Sequence, residues 1–298
     1  MNERMTTRLK TLLAGERCIV APGVADAFAA RMVAMEGFDV CYMTGFGTSL
    51  TRLGMPDIGL LTMSEMADNA ARVADACGIP LVADADTGYG NPMNVRRTIR
   101  EYERAGVAGL HLEDQAWPKR CGHLAGKRVI PIAEMEAKLK AAVDSRRDPD
   151  FVVIARTDAI AVEGFEAALE RAERYRAAGA DLLFIEAPTS MTQLQTIGQR
   201  FKDVPLLYNM AASGKTPALD NASMARLGFR IAIFPNWVIL AAIPAMRRAL
   251  RELKSRGSIV GIDMEVATFK EFTDIAGLPE VQALENRYGL PEDQRAGL

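Results

Sequence analysis

Cysteine and histidine are scarce in this 298-residue chain, which contains four cysteines and two histidines. Cys18, Cys41, Cys77 and Cys121 lie far apart and form no CxxC pair, so neither a zinc-binding knuckle nor a disulfide scaffold is indicated. An excess of one charge is also missing, because 36 basic residues stand against 38 acidic ones. This balance gives no reason to expect a nucleic acid or an anionic membrane as a partner.

Long apolar segments are absent as well. No window approaches about 18 uninterrupted apolar residues, so we expect no transmembrane helix. The N-terminal residues have no apolar core of the kind that a secretory signal peptide carries. Together with the dispersed cysteines, this pattern predicts a cytoplasmic location. No GxGxxG turn precedes a helical pattern, which argues against a dinucleotide-binding fold.

Eight short apolar runs, rich in Val, Ile and Leu, recur along the chain and are too short to be helices. Their composition is typical of parallel strands that are buried on both faces. The predicted strands are residues 18–22, 39–44, 80–86, 109–114, 151–157, 182–186, 205–209 and 230–235.

Amphipathic segments lie between most of these runs, at residues 63–77, 94–105, 134–145 and 165–178. Several end at a glycine, which is a common helix stop. This alternation predicts an α/β fold, a closed (β/α)₈ TIM barrel rather than an open sheet. We expect the barrel domain to cover residues 1–257, which is close to the usual size of about 250 residues. A C-terminal helical extension, residues 258–298, is expected to contain helices near 265–274 and 279–288.

Polar side chains stand at the carboxyl ends of most of the predicted strands. In (β/α)₈ enzymes the chemistry takes place at this face of the barrel. We therefore predict an active site there rather than a set of helix caps. The strand-end residues are Tyr42, Thr44, Asp84, Asp86, His111, Glu113, Asp114, Arg156, Asp158, Glu186 and Asn209.

The acids in this set favour a metal site. Asp84 and Asp86 are two residues apart and so point to the same side of a strand. Asp57 and Glu113 could join them from neighbouring loops. Converging carboxylates repel one another unless a cation neutralises them, and all-oxygen ligation suits Mg²⁺ or Mn²⁺. The alternative is that these acids cap helices or pair with arginines.

The segment 117–123 follows the fourth predicted strand and has the composition of an active-site loop. Lys119, Arg120 and His123 lie beside Cys121, where cations would favour a thiolate or bind a substrate carboxylate. On the residues alone, Cys121 is either an acid or nucleophile or an incidental loop thiol. The other three cysteines lie in apolar runs, so we expect them in the core.

This loop also carries a family resemblance. Residues 119–123, Lys-Arg-Cys-Gly-His, resemble the K-[KR]-C-G-H signature of the isocitrate lyase/phosphoenolpyruvate mutase superfamily. The similarity extends over residues 22–257 and includes the motifs at 84–90, 112–115, 155–158 and 184–187. Within the family the chain is most similar to the branch of methylisocitrate lyases, dimethylmalate lyases and the petal death protein. The mutases lack the Cys-Gly-His loop, so phosphonate chemistry is disfavoured.

The resemblance implies a role for each matching residue. Cys121 would be the general acid on a loop that closes over the substrate, with Lys119 and His123 beside it, and Arg156 would bind a substrate carboxylate. Mg²⁺, or Mn²⁺ in its place, would be held by Asp57, Asp84, Asp86 and Glu113. The substrate and its 2-oxo acid product would be bound by Tyr42, Thr44, Gly45, Phe46, Gly47, Gly122, Glu186, Asn209 and Pro235.

The implied reaction is the cleavage of a 2-hydroxy dicarboxylate between C2 and C3. The cation would stabilise the oxygen that becomes a ketone, and a thiol would deliver a proton to the departing fragment. An oxaloacetate hydrolase, or a related decarboxylase, is the alternative on the same scaffold. Such hydrolases usually carry Ser where this chain has Pro235. A barrel that only binds a dicarboxylate is a third reading, which the complete set of acids disfavours.

Substrate size is indicated by residues near the last two strands. Methylisocitrate lyases carry Arg five residues beyond the proline of strand 8, where this chain has Leu240. Small Ala211 and Ala212, with Trp237 nearby, predict a pocket for a methyl group rather than a third carboxylate. Lys215 could supply a compensating charge. We therefore predict that 2,3-dimethylmalate or another 2-methylmalate is cleaved to pyruvate and a monocarboxylate, with methylisocitrate as the alternative substrate.

The C-terminal helices resemble those that members of this family exchange between neighbouring subunits. The resemblance therefore implies a homotetramer built from swapped dimers.

Overall fold

The computed structural model describes residues 3–120, 122, 126–212 and 214–297. By its internal contacts the chain divides into two compact units, Met1–Leu240 and Ala241–Leu298. The boundary predicted after residue 257 lies further along the chain and stays a prediction. In the part of the chain that is described, no helix is both long enough and apolar enough to cross a membrane.

A closed parallel barrel forms the first unit. Each strand pairs with the next in chain order, and the last strand pairs with the first. This confirms the predicted (β/α)₈ fold. The strands are β1 Ile19–Val24, β2 Cys41–Met43, β3 Leu81–Asp84, β4 Gly109–Glu113, β5 Val152–Thr157, β6 Leu182–Ile185, β7 Leu206–Asn209 and β8 Phe229–Phe234.

Helices follow the strands around the barrel, and further helices extend into the C-terminal unit. The four helices predicted between strands are all present, with ends that differ by at most a few residues. The helices are α1 Met5–Leu13, α2 Ala27–Met35, α3 Gly45–Leu53, α4 Met63–Cys77, α5 Pro92–Arg104, α6 Ile132–Ser145, α7 Phe165–Ala177, α8 Met191–Arg200, α9 Asn221–Arg226, α10 Trp237–Arg256, α11 Phe269–Ile275 and α12 Leu278–Tyr288.

Local capping residues fix both ends of helix α4. Its N-cap, Thr62, accepts a hydrogen bond from the backbone N–H of Glu65, whose side chain accepts one from the backbone of Thr62. This reciprocal arrangement satisfies two amide donors that the first turn leaves without partners. At the other end Gly78 takes a left-handed conformation, with φ of 58°, which glycine adopts without steric cost.

The inside of the barrel holds one of two apolar clusters. Val82 in β3 and Ile154 in β5 belong to this inner cluster, together with Leu9 and Leu13 of α1. Alternate residues of a strand point to the same side, so the residue two positions after each inner apolar side chain also faces inward. The second cluster lies between the strands and the outer helices and includes Val73.

The C-terminal unit exposes much of its apolar surface. Helices α10 and α12 bury no side chain fully. Phe269 and Phe272 of α11 stack with ring centroids 6.3 Å apart, yet they are 71% and 59% exposed. A folded chain that leaves such side chains in water has a face that is suited to a partner.

Candidate active site

A cavity of about 270 Å³ opens at the carboxyl ends of the strands. Strand alternation explains why polar groups meet there. Asp84 follows Val82 by two residues, and Arg156 follows Ile154 in the same way, so the charged residues continue the inner face of the barrel. Most of the residues predicted for the site line the cavity, namely Tyr42, Thr44, Phe46, Asp57, Asp84, Glu113, Lys119, Gly122, Arg156, Glu186, Asn209 and Pro235.

Lys119 lies between two of the predicted metal ligands. Its Nζ atom is 2.5 Å from Oδ1 of Asp57 and 2.6 Å from Oδ1 of Asp86. Burial opposes the charge of Lys119, but Asp86, Asp84 and Asp57 together raise its pKa well above the ordinary value. Burial raises the pKa of Asp86 to about 7 even with this ammonium beside it. The cluster is thus held together by opposite charges in a site from which water is largely excluded.

Asp84 is fixed by backbone donors. Its Oδ1 atom accepts a hydrogen bond of 2.9 Å from the backbone N–H of Asp86, and Oδ2 accepts one of 3.2 Å from Gly45 at the start of α3. A Cβ atom at Gly45 would overlap this carboxylate, which explains the glycine. Burial opposes ionisation, yet His111, Lys119 and Arg156 hold the pKa of Asp84 below its ordinary value.

Arg156 joins two acids on neighbouring segments. Its Nε and Nη2 atoms donate to the two oxygens of Asp158 at 2.9 and 3.1 Å, and Nη1 lies 3.3 Å from Oε2 of Glu113. Burial opposes the charge of Asp158, but Arg156 and Lys127 lower its pKa to about 2. The guanidinium is therefore held in place, with its Cζ atom 5.0 Å from the centroid of the Phe184 ring.

Two further contacts shape the walls of the cavity. The side-chain amide of Asn209 donates to both oxygens of Glu186, at 3.3 and 3.1 Å. On the opposite side, the hydroxyl of Tyr42 lies 2.9 Å from Nε2 of His111. Burial lowers the pKa of His111 to about 4, so this imidazole is neutral at physiological pH.

The acids offer oxygen ligands to a cation, but they do not form a ready cage. Within the described residues, no three His, Cys, Asp or Glu side chains come together as a metal-binding group. Glu113 nevertheless has a buried Oε1 atom with no hydrogen bond from the described residues. Burial raises the pKa of Glu113 well above its ordinary value. A buried carboxylate oxygen without a donor is a position that a hard cation would satisfy.

Some predicted residues are not in the cavity wall, and some lie outside the described residues. Asp86 is connected to the cavity by its ion pair with Lys119. At the start of α3, the backbone N–H of Gly45 donates to Asp84, and that of Gly47 donates to the side chain of Thr44. Cys121 and His123 lie outside the described residues, so their roles stay predictions.

The apolar part of the cavity differs from the sequence-based prediction. Leu240 does line it, as predicted. Ala211, Ala212 and Trp237 are not among the described residues that line it, nor is Lys215. The apolar contribution comes from Phe184 and Ile233 instead, along with Pro56, and Asn236 adds a polar group. Phe184 and Ile233 could have been found in the sequence, since each stands two residues before a predicted site residue on its strand.

A closed parallel barrel with buried acids and cations at its carboxyl mouth defines a protein of the (β/α)₈ enzyme class. The family model described as phosphoenolpyruvate phosphomutase matches residues 9–254. The chain therefore belongs to the phosphoenolpyruvate mutase/isocitrate lyase family, which confirms the resemblance drawn from the loop motif. This family consists of enzymes, and the relatives of this chain include lyases.

Two relatives illustrate the similarity in sequence. A 2,3-dimethylmalate lyase from Eubacterium barkeri is 44% identical over 94% of this chain and 97% of its own length. A 2-methylisocitrate lyase from Aeropyrum pernix is 42% identical over 92% of this chain and 88% of its own length.

Solved structures agree in fold. A crystal structure of 2,3-dimethylmalate lyase matches with a TM-score of 0.93 and 39% identity, covering 100% of both chains. An oxaloacetate acetylhydrolase with 3,3-difluorooxalacetate matches with a TM-score of 0.92 and 38% identity, over 98% of this chain and 100% of the other. A phosphonopyruvate hydrolase in complex with oxalate and Mg²⁺ matches with a TM-score of 0.86 and 30% identity, over 96% and 99% of the two chains.

Proposed function

We propose that this chain is a Mg²⁺-dependent carbon–carbon lyase that cleaves a 2-methylmalate-type dicarboxylate to pyruvate and a monocarboxylate. For 2,3-dimethylmalate the second product is propanoate. The likeness to 2,3-dimethylmalate lyase over nearly the whole of both chains supports this substrate class. The single observation that carries the proposal is the presence of Leu240 in the wall of the cavity.

Leu240 matters because it decides what the far side of the pocket can accept. A third carboxylate brought into this cavity would lose its water and would need a cation beside it. Leu240 offers none, and Phe184 and Ile233 add further apolar surface. Glu186 in the same wall would repel a carboxylate. A methyl group, by contrast, gains from contact with these side chains.

Asp57, Asp84, Asp86 and Glu113 are the residues that would hold the cation. Their oxygen donors suit Mg²⁺, with Mn²⁺ as a substitute, and a solved relative is described as a complex with oxalate and Mg²⁺. When bound, the cation supplies positive charge that polarises the 2-hydroxyl and the neighbouring carboxylate of the substrate.

The remaining cations and donors would bind the substrate carboxylates. Arg156 presents a charged guanidinium that is already held in place by Asp158, so little entropy is lost when it binds an anion. The N-terminus of α3, capped by Thr44, also favours negative charge. Tyr42 and Phe46 complete this side of the pocket.

The reaction breaks the C2–C3 bond of the substrate and needs no oxidant. The 2-hydroxyl loses its proton, C2 becomes the carbonyl carbon of pyruvate, and the bonding pair passes to the C3 fragment. That fragment gains one proton at carbon, and we assign Cys121 as the donor of this proton. Lys119 and His123 would balance the negative charge of the fragment. Gly122 would let the loop backbone approach the substrate closely.

An oxaloacetate acetylhydrolase is the second candidate, because a solved structure with that name is similar over almost the whole chain. This reaction needs a polar group to hold and orient water. Pro235 in the cavity wall has neither a side-chain hydroxyl nor a backbone N–H. We therefore favour the lyase reaction. A methylisocitrate lyase, the third candidate, is disfavoured by Leu240.

Product analysis tests the proposal. The purified protein with Mg²⁺ is incubated separately with 2,3-dimethylmalate and with oxaloacetate, and the products are identified by proton NMR. We expect equal amounts of pyruvate and propanoate from the first, and no oxalate or acetate above the uncatalysed rate from the second. Oxalate and acetate formed from oxaloacetate, with 2,3-dimethylmalate unchanged, would contradict it.

We also propose a homotetramer of swapped dimers, because the C-terminal unit exposes many apolar side chains, including Phe269 and Phe272. The proposed location is the cytoplasm. Multi-angle light scattering should give four times the chain mass of 32.4 kDa. A monomer at micromolar concentration would contradict the assembly.

A further inference from the structure

Residues 114–116 and 128–130, which flank the segment 117–127, pair with each other through their backbones. Ala116 donates a hydrogen bond of 2.8 Å to the carbonyl of Arg128, and Ile130 donates one of 2.8 Å to the carbonyl of Asp114. Gln115 and Val129 form an antiparallel bridge between these pairs. The two ends of this segment are therefore fixed to each other, and Arg120 and Gly122 within it make further contacts.

Gln115 provides the first of these contacts. Its Nε2 atom donates to the carbonyl of Arg120 at 2.8 Å, and its Oε1 atom accepts from the N–H of the same residue at 3.0 Å. Gln115 is only 1% exposed. Two hydrogen bonds from one planar amide to one residue fix both the position and the orientation of that peptide. Lys119, next to it in sequence, is thereby directed between Asp57 and Asp86.

Lys127 provides the second contact. Its Nζ atom donates to the carbonyl of Gly122 at 2.7 Å and to Oδ1 of Asp158 at 2.9 Å. The side chain is 4% exposed, and charge-assisted hydrogen bonds in such surroundings are strong. Because Asp158 also holds Arg156, one carboxylate connects the loop to the guanidinium of the site.

Gly122 shows how closely this contact brings the loop to the site. A Cβ atom at Gly122 would lie 2.9 Å from Nη2 of Arg156 and 3.0 Å from Oε1 of Glu186. The backbone at this position is therefore packed directly against two cavity residues. Arg120 and Gly122 are the immediate neighbours of position 121, and a different side chain holds each of them.

We propose that Gln115 and Lys127 are positioning residues that hold the peptide on either side of position 121 at the cavity. Gln115 acts on the N-terminal neighbour and Lys127 on the C-terminal one. Neither is among the described residues that line the cavity. The catalytic consequence rests on the proposed function, in which residue 121 delivers a proton to carbon, but the positioning itself can be measured without any reaction.

Limited trypsin digestion measures this positioning directly. Trypsin cuts after Arg120, and to do so it must release the N–H and carbonyl of Arg120 from Gln115. We expect Gln115→Ala and Lys127→Met each to raise the rate of cleavage after Arg120, identified by mass spectrometry, by about tenfold, because each change removes hydrogen bonds that hold Arg120 or Gly122 in place. Arg128→Met is the matched control, because it removes a charge from the next residue, which is exposed.

Kinetics on the same variants separate positioning from binding. Misplacement of a reacting group by about 1 Å can cost about 10²-fold in rate, so kcat should fall by up to that factor in Gln115→Ala and Lys127→Met, with a smaller change in KM. Arg128→Met should behave as the parent. Thermal unfolding of each variant identifies any that is simply misfolded, and the Lys127 variant serves if the Gln115 variant does not fold.

Unchanged cleavage after Arg120 in both folded variants would overturn the proposal. Faster cleavage with unaltered kcat would overturn its catalytic part. If the parent itself failed to cleave 2,3-dimethylmalate, the proposed function would be wrong, while the digestion rates would still decide whether Gln115 and Lys127 hold the loop.

Discussion

The ammonium group of Lys119 lies 2.6 Å from a carboxylate oxygen of Asp86, and both side chains are almost completely buried. Asp86 is one of the four acids proposed as metal ligands, and Lys119 also contacts a second one, Asp57. Lys119 therefore neutralises part of the negative charge, while Asp84 and Glu113 line the cavity. A divalent cation and the lysine would share the charge of the acids rather than exclude one another.

The first prediction concerns the cation. Removal of divalent metal with a chelator should abolish turnover, and Mg²⁺ or Mn²⁺ should restore it. Asp84→Asn should weaken Mn²⁺ binding, measured by calorimetry, by at least about 10–100-fold, the loss usually seen when even a supporting residue of a metal site is removed. Asp75→Asn, at an exposed position of α4, is the control. Full activity in a verified metal-free preparation would contradict the prediction.

The limits of the barrel strands could be predicted from the sequence because burial on both faces leaves a continuous apolar run. All eight predicted runs overlap a strand. Helix α4 was predicted at its observed limits, since Gly78 and the Thr62 cap act locally. Helix α1 was not predicted. Its Leu9 and Leu13 join the inner cluster of the barrel, and such a contact between distant segments leaves no local signal.

The site was predictable where side chains belong to strands and less so where they belong to loops. Asp84, Arg156 and Glu186 follow from alternation, which fixes the direction of a side chain. Trp237, which the sequence places only near the pocket, is 62% exposed and is not among the described residues that line the cavity. The contacts of Lys119 with Asp57 and Asp86 could not be deduced from spacing, because they depend on the path of a loop that Gln115 and Lys127 hold in place.

The second prediction concerns the proposed general acid. Cys121→Ala should reduce kcat by about 10²–10⁴-fold, the usual contribution of a positioned acid, with little effect on KM. Cys18→Ala is the control. Cys18 is buried outside the site, and burial raises the pKa of its thiol to about 12. If Cys121→Ala kept most of its turnover, another group or water would have to deliver the proton.

The third prediction concerns the protonation of His111. Because burial lowers its pKa from 6.5 to about 4, the unfolded chain binds more protons than the folded one between these pH values. His111 therefore makes the folded state less stable as the pH falls through this window. The carbon chemical shifts of ¹³C-labelled histidine should show one of the two imidazoles remaining neutral down to about pH 5, and His123→Gln assigns it. Titration of His111 near pH 6.5 would show that burial does not control its charge.

The ratio of kcat/KM for 2,3-dimethylmalate and methylisocitrate measures whether the cavity prefers a methyl group to a third carboxylate. Both substrates are assayed on one preparation by coupled detection of pyruvate, which each of them would release. Succinate, the other product of methylisocitrate, is measured as a check. Leu240→Arg should shift the ratio towards methylisocitrate by at least about tenfold, since a charge-assisted contact contributes about 1.5–3 kcal/mol. Leu240→Met should not shift it. In the parent protein we predict a higher kcat/KM for 2,3-dimethylmalate. A higher value for methylisocitrate in the parent protein would contradict this preference.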